Sequence, residues 1–262
     1  MGRALVVTSG KGGVGKTTAC ANLGAALAQK GKEVLLIDTD IGLRNLDTAL
    51  GLENRIVFDL IDVIENKCRL KQAIIRDKQN QHLSLMPASQ SRDKSDINEK
   101  QMRQLLEEVK NMYDFVIIDC PAGIEQGFKN AIAGADEAIV VCTPEVSSVR
   151  DADRVIGLMA SQGISHVSLI VNRIKPDMVL GGDMLSVEDV EDILGQKAIG
   201  TVLEDKAVVK ATNLGESVVN FSKSNAGREY IKIAGRLLGE NIPLKAPTLV
   251  SQIVDKLLGR AM

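Results

Sequence analysis

Apolar runs of strand length recur along the chain, at residues 4–8, 33–37, 83–86, 115–118, 138–141, 167–171 and 199–202. Between them lie stretches such as 17–30 and 98–112, whose apolar residues return at three- and four-residue steps, the period of an amphipathic helix. Strand–helix alternation of this kind implies right-handed βαβ crossovers. It predicts an α/β fold, a doubly wound and mostly parallel sheet with helices on both faces. Segment 241–247 carries two prolines and reads as a linker. We therefore divide the chain into a body, 1–243, and a linker with a terminal amphipathic helix, 244–262.

Composition adds constraints. Aromatic residues make up 2% of the 262 residues and Trp is absent, so the core rests on Val, Ile, Leu and Ala. The formal charge of −2 gives the body no basic stripe for phosphate backbones, and nucleic acid is not an expected partner. Cys20, Cys68, Cys120 and Cys142 lack CxxC spacing and read as free thiols. No apolar run approaches the roughly 20 residues that span a bilayer, and the first residues run straight into strand and motif. The expected compartment is the cytoplasm.

The first strand leads into Gly10-Lys11-Gly12-Gly13-Val14-Gly15-Lys16-Thr17-Thr18 and then into a helical pattern. This is the phosphate loop G-x-x-x-x-G-K-[ST] in its strand–loop–helix setting. Backbone N–H groups of Gly12, Gly13, Val14 and Gly15 would face a nucleotide's phosphates, with help from the helix N-terminus. Lys16 would reach the β- and γ-phosphates, Thr17 would ligate Mg²⁺ and Thr18 would donate to the α-phosphate. Lys11 is unusual, because a second lysine so near Lys16 is repelled unless a polyanion lies between them. The second strand ends in Asp38-Thr39-Asp40 and the fourth in Asp119-Cys120-Pro121-Ala122-Gly123. Carboxylates at strand C-terminal ends face metal and water. Asp38 and Asp119 are the candidate Mg²⁺ partners, and Asp40 the residue that orients water. Gly123 can bring its N–H against the γ-phosphate.

Lys11 makes the loop resemble the deviant Walker A family of P-loop NTPases, which includes MinD, ParA-type partition ATPases, the nitrogenase iron protein and the anion-pump ATPases. Residues 42–47, 51–55, 86–90, 119–125 and 149–154 are similar to its MinD branch. The resemblance implies a Mg²⁺-dependent ATPase with Lys16, Lys11 and Asp40 as catalytic residues. Lys11 would act in trans, across an ATP-bound homodimer. It also implies that Asn172 reads the adenine edge beside Arg173, that the backbone from Val202 to Asp205 lines the base, and that Asp151 lies at the dimer interface. For Asp151, a solvated helix start is the alternative. The implied function is positioning of the division site by recruiting a MinC-like inhibitor, with a further regulator that stimulates hydrolysis. A flagellar-number regulator, or a ParA-type partition ATPase that would bind DNA, is the alternative within the family. An iron–sulfur scaffold would need a second fitting Cys, and a small-molecule kinase would need a lid.

In residues 248–262, Leu249, Val250, Ile253, Val254, Leu257 and Leu258 form one helical stripe opposite Ser251, Gln252, Asp255 and Lys256. Such a stripe predicts an interfacial helix that holds the protein peripherally on the cytoplasmic face of the cell membrane. Lys256 and Arg260 against Asp255 leave little charge, so binding would come from aliphatic burial, reinforced when two tails are joined in one dimer. A helix packed on the protein's own body is the alternative.

Overall fold

Strands that are aliphatic along their whole length need cover on both faces, which a parallel sheet between two helical layers supplies. The computed structural model describes residues 1–90, 92 and 97–244. Its strands are β1 (Arg3–Thr8), β2 (Val34–Asp38), β3 (Ile75–Arg76), β4 (Leu83–Met86), β5 (Phe115–Asp119), β6 (Glu137–Cys142), β7 (Val167–Ile174) and β8 (Ala198–Leu203). They form one sheet in the order β3-β4-β2-β5-β1-β6-β7-β8. Every pairing is parallel except that of β3 with β4.

All seven apolar runs became strands. The addition is β3, whose two residues are too short to show a period. Alternation along each strand divides the core. In β1, Ala4 and Val6 face one layer, with the helices Glu99–Val109, Val146–Ser161 and Val187–Leu194. Leu5 and Val7 face the other, with Lys16–Gln29 and Asn225–Leu237. The layers approach closely: a Cβ on Gly24 would stand 2.6 Å from Leu36 Cδ2.

Helix starts follow local chemistry. Asn98 accepts from the Gln101 amide at 3.0 Å while the Gln101 side chain accepts from the Asn98 amide, a reciprocal cap that begins Glu99–Val109. The phosphate-loop helix has no such side-chain cap. Its free N–H groups open where β1, β2 and β5 end, the crevice at which α/β sheets bind ligands. Residues 248–262, with the predicted terminal helix, lie outside the described residues.

Candidate functional site

The loop after β1 must turn sharply into Lys16–Gln29, and glycines make the turn. Gly15 adopts φ +98°, open to glycine and strained for other residues. A Cβ on Gly10 would meet the Asp151 carbonyl at 2.2 Å, so the loop starts in backbone contact with the helix Val146–Ser161. Gly12 and Gly13 have nothing within 4 Å of a built Cβ, which leaves an open cradle. Val14 is buried, and its carbonyl accepts from Asn172 Nδ2 at 2.7 Å.

The two loop lysines part company. Lys16 is 8% exposed, and its Nζ lies 2.8 Å from Asp119 Oδ1 and 3.5 Å from Thr17 Oγ1. Burial disfavours its ammonium, yet Asp119 more than restores the charge and holds the pKa above the usual lysine value. Burial likewise pushes the Asp119 carboxyl up, against the pull of Lys16 and a hydrogen bond with Thr17. Lys11 is exposed and its Nζ reaches Ser147 Oγ at 3.3 Å. It therefore points along the surface of Val146–Ser161, away from the Lys16–Asp119 pair.

Parallel pairing of β2 with β5 puts Asp38 and Asp119 in register as neighbours. Both are fully buried. Burial first, and then the Asp119 charge, push Asp38 up to about 7. Its oxygens accept from the amides of Asp40 at 2.9 Å and Leu46 at 3.2 Å, so Asp38 also holds the turn that carries Asp40. That turn includes Arg44 at φ +47°, with Nε 2.6 Å from Asp47 Oδ2. Thr39, which carries no motif, donates its hydroxyl to the Asp119 carbonyl at 2.6 Å and ties the two acidic strand ends together. Gly123 sits at φ +93° with open space where a side chain would be.

These residues fit a nucleotide and Mg²⁺. Two adjacent buried carboxylates disfavour each other's ionisation, which a divalent cation relieves. Asp119 Oδ2 is buried with no hydrogen-bond partner among the described residues. No group of three His, Cys, Asp or Glu able to hold a metal occurs among the described residues. Mg²⁺ commonly binds one or two carboxylates together with phosphate oxygens and water.

Beside the loop lies a cavity of about 200 Å³ lined by Gly15, Thr18, Asn172, Arg173, Leu203, Glu204, Asp205, Val208, Val209 and Tyr230. It gathers Asn172, Arg173 and Asp205 from the ends of β7 and β8. Arg173 takes a left-handed φ of +57°, which turns the chain at the cavity rim. Asp205 accepts from Ser224 Oγ at 2.7 Å and from the Ala207 amide at 2.8 Å. Burial raises its pKa, but the hydrogen bonds from Ser224 and from backbone amides outweigh burial and hold it below the usual carboxylate range. Of the expected span Val202–Asp205, Leu203, Glu204 and Asp205 line the cavity, while the Val202 side chain is 1% exposed in the core layer that also holds Tyr230. Tyr230, Val208 and Val209 escaped sequence reasoning, because they come from helices far along the chain with no motif. A larger recess of about 520 Å³ opens at the other end of the strands, around Arg3, Lys32 and Lys110, and no motif residue lines it.

The AAA domain family matches residues 2–174. The septum site-determining protein MinD of Synechocystis is 52% identical, over 99% of this chain and 100% of its own length. Among solved structures, the MinC:MinD cell division protein complex of Aquifex aeolicus contains a chain 51% identical, with a TM-score of 0.87, covering 93% of this chain and 98% of that one. MinD of Pyrococcus horikoshii, complexed with Mg-ADP, is 28% identical with a TM-score of 0.81, covering 90% and 96% respectively. With a phosphate loop carrying Lys11 and Lys16 and paired acids at the ends of β2 and β5, this chain belongs to the MinD family of septum site-determining ATPases.

Proposed function

We propose that the chain is an ATP-hydrolysing, ATP-dimerised membrane switch that positions the cell-division site by recruiting a MinC-like division inhibitor. The observation that carries this reading is the divergence of the two loop lysines. Lys16 is turned inward onto Asp119, while Lys11 is exposed over the start of Val146–Ser161.

In this reading Gly12, Gly13, Val14, Gly15 and Thr18 cradle the phosphates through the loop and the first helical turn. Lys16 leaves Asp119 for the phosphates, which offer it a stronger counter-charge. Thr17, Asp38 and Asp119 would hold Mg²⁺. The ion supplies charge neutralisation to the phosphate oxygens. Asp40 orients the attacking water, and Gly123 presents its N–H to the γ-phosphate. Lys11 reaches the partner's nucleotide in trans, with Asp151 at the same interface, which makes ATP the condition for dimerisation. Asn172, Arg173 and Asp205 form the base subsite.

Residues 1–243 form the ATPase domain, and 244–262 the linker and membrane-targeting helix. Two tails in one dimer gain avidity of roughly 10²–10⁴ over one, so ATP brings the protein to the cytoplasmic face of the membrane and hydrolysis releases it. An ATPase-stimulating regulator completes the cycle.

The test is sedimentation of the purified chain with liposomes in ATP, in ADP and without nucleotide, beside a chain lacking residues 248–262. Sedimentation only in ATP, lost on truncation while ATP binding persists, is the expected result. A truncated chain that still sediments removes the tail from the mechanism. Retention on nonspecific DNA without lipid binding replaces this reading with partition.

A further inference from the structure

The cavity beside the phosphate loop has one wall that neither the motif nor the family assignment explains. Tyr230 lies on the helix Asn225–Leu237, is 1% exposed and lines the cavity together with Gly15, Thr18, Asn172 and Asp205. It is among the largest fully buried side chains of the protein. Burial alone pushes its phenol above the usual tyrosine value, with no hydrogen bond or charge contributing. Its hydroxyl makes no hydrogen bond with any described residue.

The hydroxyl oxygen is not among the buried polar atoms that lack a partner, so it opens on the cavity. Tyr is normally buried with its O–H paired, because an unsatisfied hydroxyl carries the desolvation cost of the lost water contact. Two of the polar groups on the cavity wall are engaged elsewhere. Asp205 accepts from Ser224 and the Ala207 and Ala226 amides, and Asn172 donates to Val14. A molecule that enters the cavity meets this hydroxyl with no protein partner on it.

We infer that Tyr230 is a specificity-determining residue of the nucleotide site, whose hydroxyl hydrogen-bonds the nucleoside part of the bound nucleotide, at the base edge or the ribose. The inference rests on the nucleotide reading proposed above and adds a recognition residue to it. A hydroxyl can donate and accept, so it pairs with a base nitrogen, an exocyclic amine or a ribose hydroxyl. In the reading above the phosphates are held by residues 12–18, whereas Tyr230 stands on the separate helix Asn225–Leu237.

Calorimetric titration of the full chain and of Tyr230→Phe with ATP, 2′-deoxy-ATP and inorganic tripolyphosphate tests this, with thermal unfolding of both nucleotide-free proteins alongside. We expect Tyr230→Phe to weaken ATP roughly two- to tenfold, the range of one neutral hydrogen bond. Tripolyphosphate affinity stays the same, and the unfolding temperature does not fall. A matching loss for 2′-deoxy-ATP assigns the contact to the base or the rest of the sugar, and an effect confined to ATP assigns it to the ribose 2′-hydroxyl. Unchanged ATP affinity, an equal loss for tripolyphosphate, or a lower unfolding temperature without an affinity change overturns the inference. If the unsubstituted chain binds no ATP, the nucleotide reading itself falls and takes this inference with it.

Discussion

Lys16 Nζ sits 2.8 Å from Asp119 Oδ1, with the two side chains only 8% and 1% exposed. The residue expected to hold phosphate is thus paired with a residue expected to serve Mg²⁺. Removing one member of a buried pair leaves the other charge uncompensated, at a cost of about 3–5 kcal/mol. Lys16→Ala should therefore lower the nucleotide-free unfolding free energy by about 3 kcal/mol, the low end because Asp119 can take up a proton. Adding Asp119→Ala should recover most of that loss without restoring ATP binding. Urea denaturation of the three variants decides it, and a Lys16→Ala protein as stable as its parent would show that the pair contributes nothing.

Lys11 Nζ contacts the exposed Ser147 hydroxyl at 3.3 Å. Losing so exposed a contact should leave folding within about 0.5 kcal/mol of the parent. Lys11→Ala should bind ATP as a monomer, fail to dimerise and turn over on the order of 10³-fold more slowly, the scale of an arginine finger. Light scattering with and without ATP gives the first readout, and phosphate release the second.

Asp40 sits at the end of β2 on a turn held by the Asp38 carboxylate. Asp40→Ala should bind ATP and dimerise, and then persist in the dimer because hydrolysis is slowed roughly 10²-fold or more. Normal single-turnover hydrolysis by this variant would remove Asp40 from the water-orienting role.

Gly15 combines φ +98° with a built Cβ only 2.3 Å from Asn172 Nδ2. A side chain there is strained and also displaces the amide that holds Val14. Gly15→Ala should cost about 1–3 kcal/mol of stability and lower ATP affinity. Thermal unfolding and titration measure the two losses, and a neutral outcome in both would mean the loop is free to move.

Asp205 starts the helix Lys206–Asn213 and fastens it to Ser224 and Ala226. Its folded pKa lies below the ordinary value of 3.8. A depressed carboxyl contributes stability that is present above the unfolded pKa and is lost as pH falls through the folded one. Asp205→Ala should cost about 1 kcal/mol at neutral pH, as for a lost N-cap, and this difference from the parent should shrink below about pH 4. Denaturation at pH 7 and pH 3 tests the sign; a difference that grows in acid contradicts it.

The sequence alone determined the strands and the chemistry carried by short segments. Parallel strands covered on both faces are nearly continuous aliphatic runs, so β1, β2 and β5 were legible, the last two with their acidic ends. The phosphate loop needs nine consecutive residues, 10–18, and no tertiary context to be recognised. The tertiary structure decided what those segments touch. Lys16 and Asp119 meet only because β5 lies beside β1, and Asp38 faces Asp119 only through the register of β2 with β5. Val202 joined the core layer that holds Tyr230 and Leu203 packs against the other, because alternation alone does not say which face of the sheet meets which helices. Tyr230 reached the cavity beside the phosphate loop because its helix packs against Lys16–Gln29, and an apolar helical period does not say which neighbour an aromatic side chain will meet. Periodicity and motifs are local properties of a chain, whereas pairing, register and burial depend on residues that are distant in sequence.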